Sequence, residues 1–224
     1  MKHNVILFEK LCERIKVIAS YFNDNTTNNL IKQVISDKTL EPLIFDLNDI
    51  FHMDFNSVLL KLFQIKAKSD EISKLISNID LSQYLRSINF NFEHYSSNCY
   101  QYYDDLDQET VETFQKLDES IKNLNHNISI ENAQLARSHH IKFMKLMNDY
   151  CNKQDLSYNS MNGIESRFFE NIIRELDHII FLISFYELLT STINDISKFS
   201  NQFESNQDSY QNNIKYSLED GWDN

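Results

Sequence analysis

Turn-forming residues are almost absent from this chain, which has only 2 glycines and 1 proline in 224 residues. An average protein carries about 7% glycine and about 5% proline, and these two residues punctuate turns and interrupt helices. A chain so poor in both is suited to long, uninterrupted helices. We therefore expect an all-α protein.

Apolar residues recur at alternating spacings of three and four, which is the pattern of a helix that turns one stripe toward a partner helix. We call these stripes seams. The main seams contain Val58, Leu62, Ile65 and Ile72; Leu85, Ile88, Phe92, Tyr95 and Cys99; Phe114, Leu117, Ile121 and Leu124; Ala136, His140, Phe143 and Met147; and Phe169, Ile172, Leu176, Ile179, Tyr186 and Ile193. They predict an elongated helical bundle with long antiparallel coiled-coil-like helices.

The register of the seams slips by about one residue between Asp107 and Thr113. An insertion of this kind locally rewinds a coiled coil. The slip favours one long helix with a hitch, and the alternative is a turn at residues 125–127. Residues 153–163 lose the apolar period altogether, which predicts an inter-helix loop there.

The apolar pattern also predicts the domain organisation. We expect a single helical bundle domain over residues 1–203, with a candidate sub-boundary near residue 54. After Phe203 the sequence is largely polar. Residues 204–224 are therefore predicted to form a mobile acidic tail.

The balance of charge restricts the partners that this chain can bind. Its formal net charge is −12 and it has no block of lysine or arginine. Such a charge repels nucleic acid and anionic lipid and attracts a basic protein. The longest apolar stretch, Ile179 to Leu189, is about half the ~20 residues that a membrane span needs. We predict a protein partner, no nucleic acid and no membrane span.

Three cysteines, an odd number without any C-x-x-C pair, are typical of a reducing compartment. This usage predicts a cytoplasmic protein. The sequence also lacks a phosphate-cradling glycine loop and a nucleophile elbow. We therefore expect neither catalysis nor a cofactor.

One pair of residues has the spacing of metal ligands. Glu175 and His178 form a Glu-x-x-His motif, which is half of the di-metal carboxylate site found in helical bundles. The nearest second half, Asp49 and His52, has a shorter carboxylate and lies in an irregular region. The sequence predicts no metal site, and Glu175 and His178 are the candidate ligands if that prediction is wrong.

His140 falls on an apolar seam. A histidine in this position is expected to be a buried core residue with satisfied hydrogen bonds. The alternative is a pH sensor, because an imidazole changes its charge between about pH 5 and pH 8.

The segment around Trp222, the only tryptophan, combines an aromatic anchor with carboxylates. Such a combination fits an apolar pocket with a basic rim. The segment resembles the short acidic tryptophan motifs that trafficking adaptors, coat proteins or motor light chains bind. The resemblance implies that Leu218, Trp222 and Asp223 contact a partner.

These observations favour a non-catalytic α-helical interaction or scaffold subunit that acts through its coiled-coil-like seams. Its partner is either another helical protein or a second copy in a homo-oligomer. The alternative is a helical effector, toxin or toxin-neutralising (immunity-type) protein of a low-GC microbe or virus, bound to a basic protein. A third hypothesis is a ferritin-like metal enzyme.

Overall fold

The computed structural model describes residues 2–35, 38, 41, 44, 53–77, 80–99, 104, 106–153 and 163–219. Of these residues 91% are helical, and none of them lies in a β-strand. The predicted all-α fold is confirmed. The elongated shape and the coiled-coil geometry stay predictions.

Most of the described helices are long, as the scarcity of glycine and proline predicts, and the short ones are α2 and α4 with 8 and 9 residues. Their bounds are α1, Lys2–Asn23; α2, Asn25–Lys32; α3, Phe55–Ala67; α4, Ser69–Ser77; α5, Ser82–Cys99; α6, Gln108–His126; α7, Ile130–Lys153; and α8, Gly163–Glu219. The irregular region around Asp49 and His52 lies outside the described residues, and so do residues 154–162 of the predicted loop between α7 and α8.

The chain divides into two compact units. Unit 1 contains residues 1–79 and 185–224, and unit 2 contains residues 80–184. Helix α8 contributes its first part to unit 2 and its remainder to unit 1. The predicted single domain over residues 1–203 and the predicted mobile tail stay predictions, although α8 continues past Phe203 to Glu219.

Unit 2 is an up-and-down bundle of α5, α6, α7 and the first part of α8. Each helix runs antiparallel to the next, because later residues of one helix contact earlier residues of its neighbour. The contacts are Asn89–Asn125 and Phe92–Phe114 for α5 and α6, Glu109–Lys142 and Lys116–His139 for α6 and α7, Arg137–Asp177 and Phe143–Phe169 for α7 and α8, and Tyr84–His178, Asn91–Asn171 and His94–Phe168 for α5 and α8. Unit 2 thus has the antiparallel bundle architecture that the seams predict.

The core of unit 2 is built around aromatic rings, one or two from each helix. They are Phe92, Tyr95, Phe114, Phe143 and Phe169, and each is at most 7% exposed. Tilted and edge-on contacts join them, for example Phe114 to Phe143 at 5.2 Å between ring centroids. Such pairs add stability beyond the area that they bury.

Unit 1 packs the later part of α8 against α1. The two helices are antiparallel, because Phe22 contacts Phe185 while Phe8 contacts Phe199. Helix α3 adds Phe63, which meets Phe203 at 6.3 Å between ring centroids.

The preferred prediction of one long helix with a hitch is wrong, because α5 and α6 are separate helices. Asp107 ends the intervening segment and caps α6, since its carboxylate accepts a hydrogen bond of 2.8 Å from the backbone N–H of Thr110. Hydrogen bonds from the side chain and from the backbone N–H of Thr110 lower the pKa of Asp107. The alternative turn is confirmed, because α6 ends at His126 and α7 begins at Ile130.

The seams are internal in both units. Val58, Leu62 and Ile65 of unit 1 are at most 7% exposed within one chain, and so are Phe114, Leu117 and Ile121 of unit 2. Residues that already bury each other in one chain cannot also bind a second one without unfolding. A binding surface has to be sought on the outer faces of the helices.

Candidate functional site

The two candidate metal ligands lie together on α8, within unit 2. His178 Nδ1 lies 3.3 Å from Glu175 Oε2, as expected for residues one helical turn apart. Arg174 donates to the other carboxylate oxygen, at 3.0 Å from its terminal nitrogen. The Glu175 carboxylate is thus shared by two neighbours on its own helix.

The remaining ligands of a di-metal site are not found beside this pair. No group of three or more His, Cys, Asp or Glu side chains that could hold a metal occurs among the described residues. The neighbour that α5 brings to His178 is the ring of Tyr84, 5.7 Å away between centroids. Burial is the main reason why the pKa of Tyr84 is raised, and the nearby Glu175 carboxylate adds to the effect. His52, the other histidine considered from the sequence, lies outside the described residues.

The purified chain is therefore expected to carry iron, manganese or zinc well below one ion per chain. Elemental analysis before and after dialysis against a chelator measures this directly. Stoichiometric metal that disappears in a Glu175→Ala variant, with the fold intact by circular dichroism, would contradict the expectation and revive the metal-enzyme hypothesis.

A groove of about 350 Å³ lies between α7 and α8 in unit 2. Its lining comes from Met144 of α7 and from Phe169, Glu170, Ile173, Arg174, Asp177 and His178 of α8. His178, held by Glu175, has the arrangement of a general base, and the groove also carries the carboxylates of Glu170 and Asp177. No serine, threonine, cysteine or lysine lines the groove as the structure describes it.

His140 is buried as its seam position predicts, with 0% exposure. The expected hydrogen bonds are not found in the part of the chain that the structure describes, where neither ring nitrogen has a partner. The ring lies edge-on to Phe169, with 5.1 Å between centroids. Burial penalises the imidazolium form and lowers the pKa of His140 from 6.5 to about 4.

The predicted contact residues of the tail are only partly placed. Leu218 belongs to α8, which ends at Glu219. Trp222 and Asp223 lie outside the described residues. Their proposed role in binding a partner stays a prediction.

An aromatic strip at the surface, absent from the sequence predictions, runs along α5 and α8. It consists of Phe90 and His94, which are exposed, and Phe168, which is half-buried. Phe90 is 57% exposed and its ring lies 4.5 Å from that of His94, which in turn stacks on Phe168 at 5.4 Å with an angle of 3° between the planes. Phe90 and His94 both fall outside the seam that contains Phe92 and Tyr95, and this was the signal available in the sequence.

Two exposed charged residues flank this strip on α5. Arg86 lies one helical turn before Phe90 and Glu93 lies one turn after it. Hydrogen bonds from Ser82 lower the pKa of Asp80, and the charge of Arg86 adds to this effect. The strip therefore combines exposed apolar area with one positive and one negative charge.

One helical segment of the described chain, Arg167–Ser205, is long and apolar enough by length and composition to cross a membrane. Of its most apolar window, 44% is buried inside the protein. The packed helix at the centre of a bundle meets the same two criteria, so the predicted absence of a membrane span stays a prediction.

Comparison of this chain with protein-family models, with curated protein sequences and with solved structures finds no match.

Proposed function

We propose that this chain is a non-catalytic interaction subunit that binds another protein through the outer face of unit 2. The observation that carries the proposal is the aromatic strip of Phe90, His94 and Phe168. The seams take the role of an internal scaffold that holds this surface rigid.

The energetics of the strip favour a binding role. A phenylalanine that is 57% exposed loses much of the stabilisation that full burial provides, which is about 1.5–3 kcal/mol. Single exposed apolar residues are common, but contiguous apolar patches often mark interaction sites. Aromatic residues are also enriched among those that dominate binding energy at interfaces.

The chemistry of the groove supports the same proposal. Two of its charged residues are held in ion pairs with residues outside the lining, Arg174 with Glu175 and Asp177 with Arg137. A site with few free polar groups is poorly suited to transition-state stabilisation.

The test is to compare the full chain with a Phe90→Ser variant in affinity capture from host-cell extract and in light scattering coupled to size-exclusion chromatography. We expect a stoichiometric protein, either a partner or a second copy, to be recovered with the wild type and lost with the variant. A chain that stays monomeric at high concentration and recovers no stoichiometric protein would contradict the proposal.

The effector or immunity-type alternative is supported by the net charge of −12, which favours a basic partner. The two hypotheses differ in their response to salt. Binding to a basic toxin-like partner should weaken steeply as ionic strength rises, whereas binding through an aromatic strip should change little.

A further inference from the structure

The residues on the exposed face of α5 form a pattern that is nearly symmetric about Phe90. Residues at spacings of three and four, starting from Gln83, lie on this outward face, and all of them are exposed: Gln83, Arg86, Phe90, Glu93 and Ser97. Phe90 is at the centre. Opposite charges stand four residues before it and three residues after it, and uncharged polar residues stand seven residues away on each side.

Such a sequence is complementary to itself when it is reversed. In a two-fold symmetric pair, the same surface of each copy meets the other, so that residue i faces j and j faces i. With the axis at Phe90, two copies of α5 run antiparallel. Arg86 of one copy then faces Glu93 of the other, Gln83 faces Ser97, and the two Phe90 rings meet at the axis.

We propose that α5 binds a second copy of this chain in this antiparallel arrangement, with the aromatic strip at the centre and an Arg86–Glu93 ion pair on each side. The inference rests on the proposed interaction function and specifies its partner. It also gives each of the two exposed charges beside Phe90 an ion-pair partner at close range, which neither has among the described residues.

A second copy fits this surface better than an unrelated basic protein does. The face of α5 carries one arginine and one glutamate, so it has no net charge to attract a strongly basic surface. Complementary charges at fixed positions instead select register and orientation. A contact made mainly by one helix and its neighbour is smaller than a standard interface, so the dimer is weak and forms at high concentration.

The test uses a charge exchange. The full chain and its variants are followed by sedimentation equilibrium over a wide range of concentration, and circular dichroism verifies the helical fold of each. Arg86→Glu alone, or Glu93→Arg alone, places like charges opposite each other at both sites. Each is expected to raise the dimer dissociation constant by about tenfold. The double variant Arg86→Glu/Glu93→Arg re-forms both pairs in the opposite sense and should restore the wild-type value within about threefold.

Phe90→Ser is expected to raise the dissociation constant by more than about thirtyfold, because it removes an aromatic anchor from both copies. Leu135→Ser is the matched control, since Leu135 is 46% exposed on α7 of the same unit and lies outside the strip. Leu135→Ser should leave the dimer dissociation constant unchanged.

Three results would overturn the inference. They are a wild type that remains monomeric at every concentration, a dimer that Phe90→Ser does not weaken, and a folded double variant that is no better than the single ones. A monomeric wild type that still captures another protein in a Phe90-dependent manner would overturn the dimer and leave the proposed function standing. Loss of both the dimer and all capture would overturn the proposed function as well.

Discussion

Replacing Phe143 with alanine is expected to destabilise unit 2 by about 3–5 kcal/mol, the range for deleting a buried aromatic side chain. Phe143 is 0% exposed and its ring contacts one aromatic residue on each of the other three helices of the bundle. The centroid distances are 5.8 Å to Tyr95, 5.2 Å to Phe114 and 6.3 Å to Phe169. No smaller residue can reach all three, so alanine leaves a cavity at the junction of the bundle.

The measurement is urea unfolding, combined with hydrogen–deuterium exchange of α6 and α7, whose amides report on unit 2 alone. Phe90→Ala is the matched control, because it removes the same side chain from an exposed site. The control should change the stability of the isolated chain by less than about 0.5 kcal/mol. If Phe143→Ala lowers the free energy of unfolding by less than about 1 kcal/mol, the four helices do not share this core.

Acid is expected to weaken unit 2 through His140. Its pKa is about 4 when folded, against the ordinary value of 6.5 that applies when the chain unfolds. The unfolded chain therefore binds more protons between these two pH values. The contribution of the neutral imidazole to stability is fully present above about pH 6.5 and is lost as the pH falls. The slope is about 1.4 kcal/mol per pH unit, and the loss reaches about 3 kcal/mol by pH 4.

The surroundings of His140 offer little to balance a positive charge. Among the described residues, the buried titratable groups that the other helices of unit 2 contribute are Tyr84 and Tyr95 from α5 and Glu175 from α8. The buried polar residues of α6 are the neutral Thr110, Thr113 and Ser120. Glu175, the carboxylate among them, is already engaged by Arg174 and His178. Protonated His140 has to reach water, which requires the helices to separate.

The stability of the wild type and of His140→Leu should be compared at several pH values from 4 to 8. We expect the variant to lose most of the slope between pH 4 and pH 6.5 and to be the more stable protein at pH 5. His126→Gln, which changes an exposed histidine near the end of α6, should keep the slope. Equal slopes in wild type and His140→Leu would contradict this assignment.

The sequence was sufficient to predict the fold class and most of the core. Spacings of three and four assign Leu117, Phe143 and Leu176 to apolar faces, and all three are 0% exposed. The periodicity depends only on local helix geometry, so it can be read without knowing the tertiary structure. The break before α6 was also encoded locally, because Asp107 with Thr110 three residues later is a capping signal.

Internal packing, hydrogen-bond partners and side-chain pairing depend on the tertiary structure, which the local spacing of residues does not determine. The spacing of apolar residues in a seam is the same whether the seam packs within one chain or between two chains. The spacing of Val58 and Leu62 therefore did not predict that they pack internally. Periodicity places His140 in the core but cannot determine whether its nitrogens find partners there. The pairing of Glu175 with both Arg174 and His178 likewise follows from side-chain geometry that the spacing alone does not fix.

The continuity of α8 has a consequence for how the chain matures during synthesis. Domains generally fold as units as they emerge from the ribosome, and the N-terminal one folds first. Here each unit needs a part of the helix that is made after α1 to α7. Residues 163–184 are needed to close one bundle and residues 185–205 to complete the other, so the apolar stripes of the seven described helices before α8 are translated before either bundle is complete. We expect the nascent chain to be prone to aggregation until α8 has emerged from the ribosome.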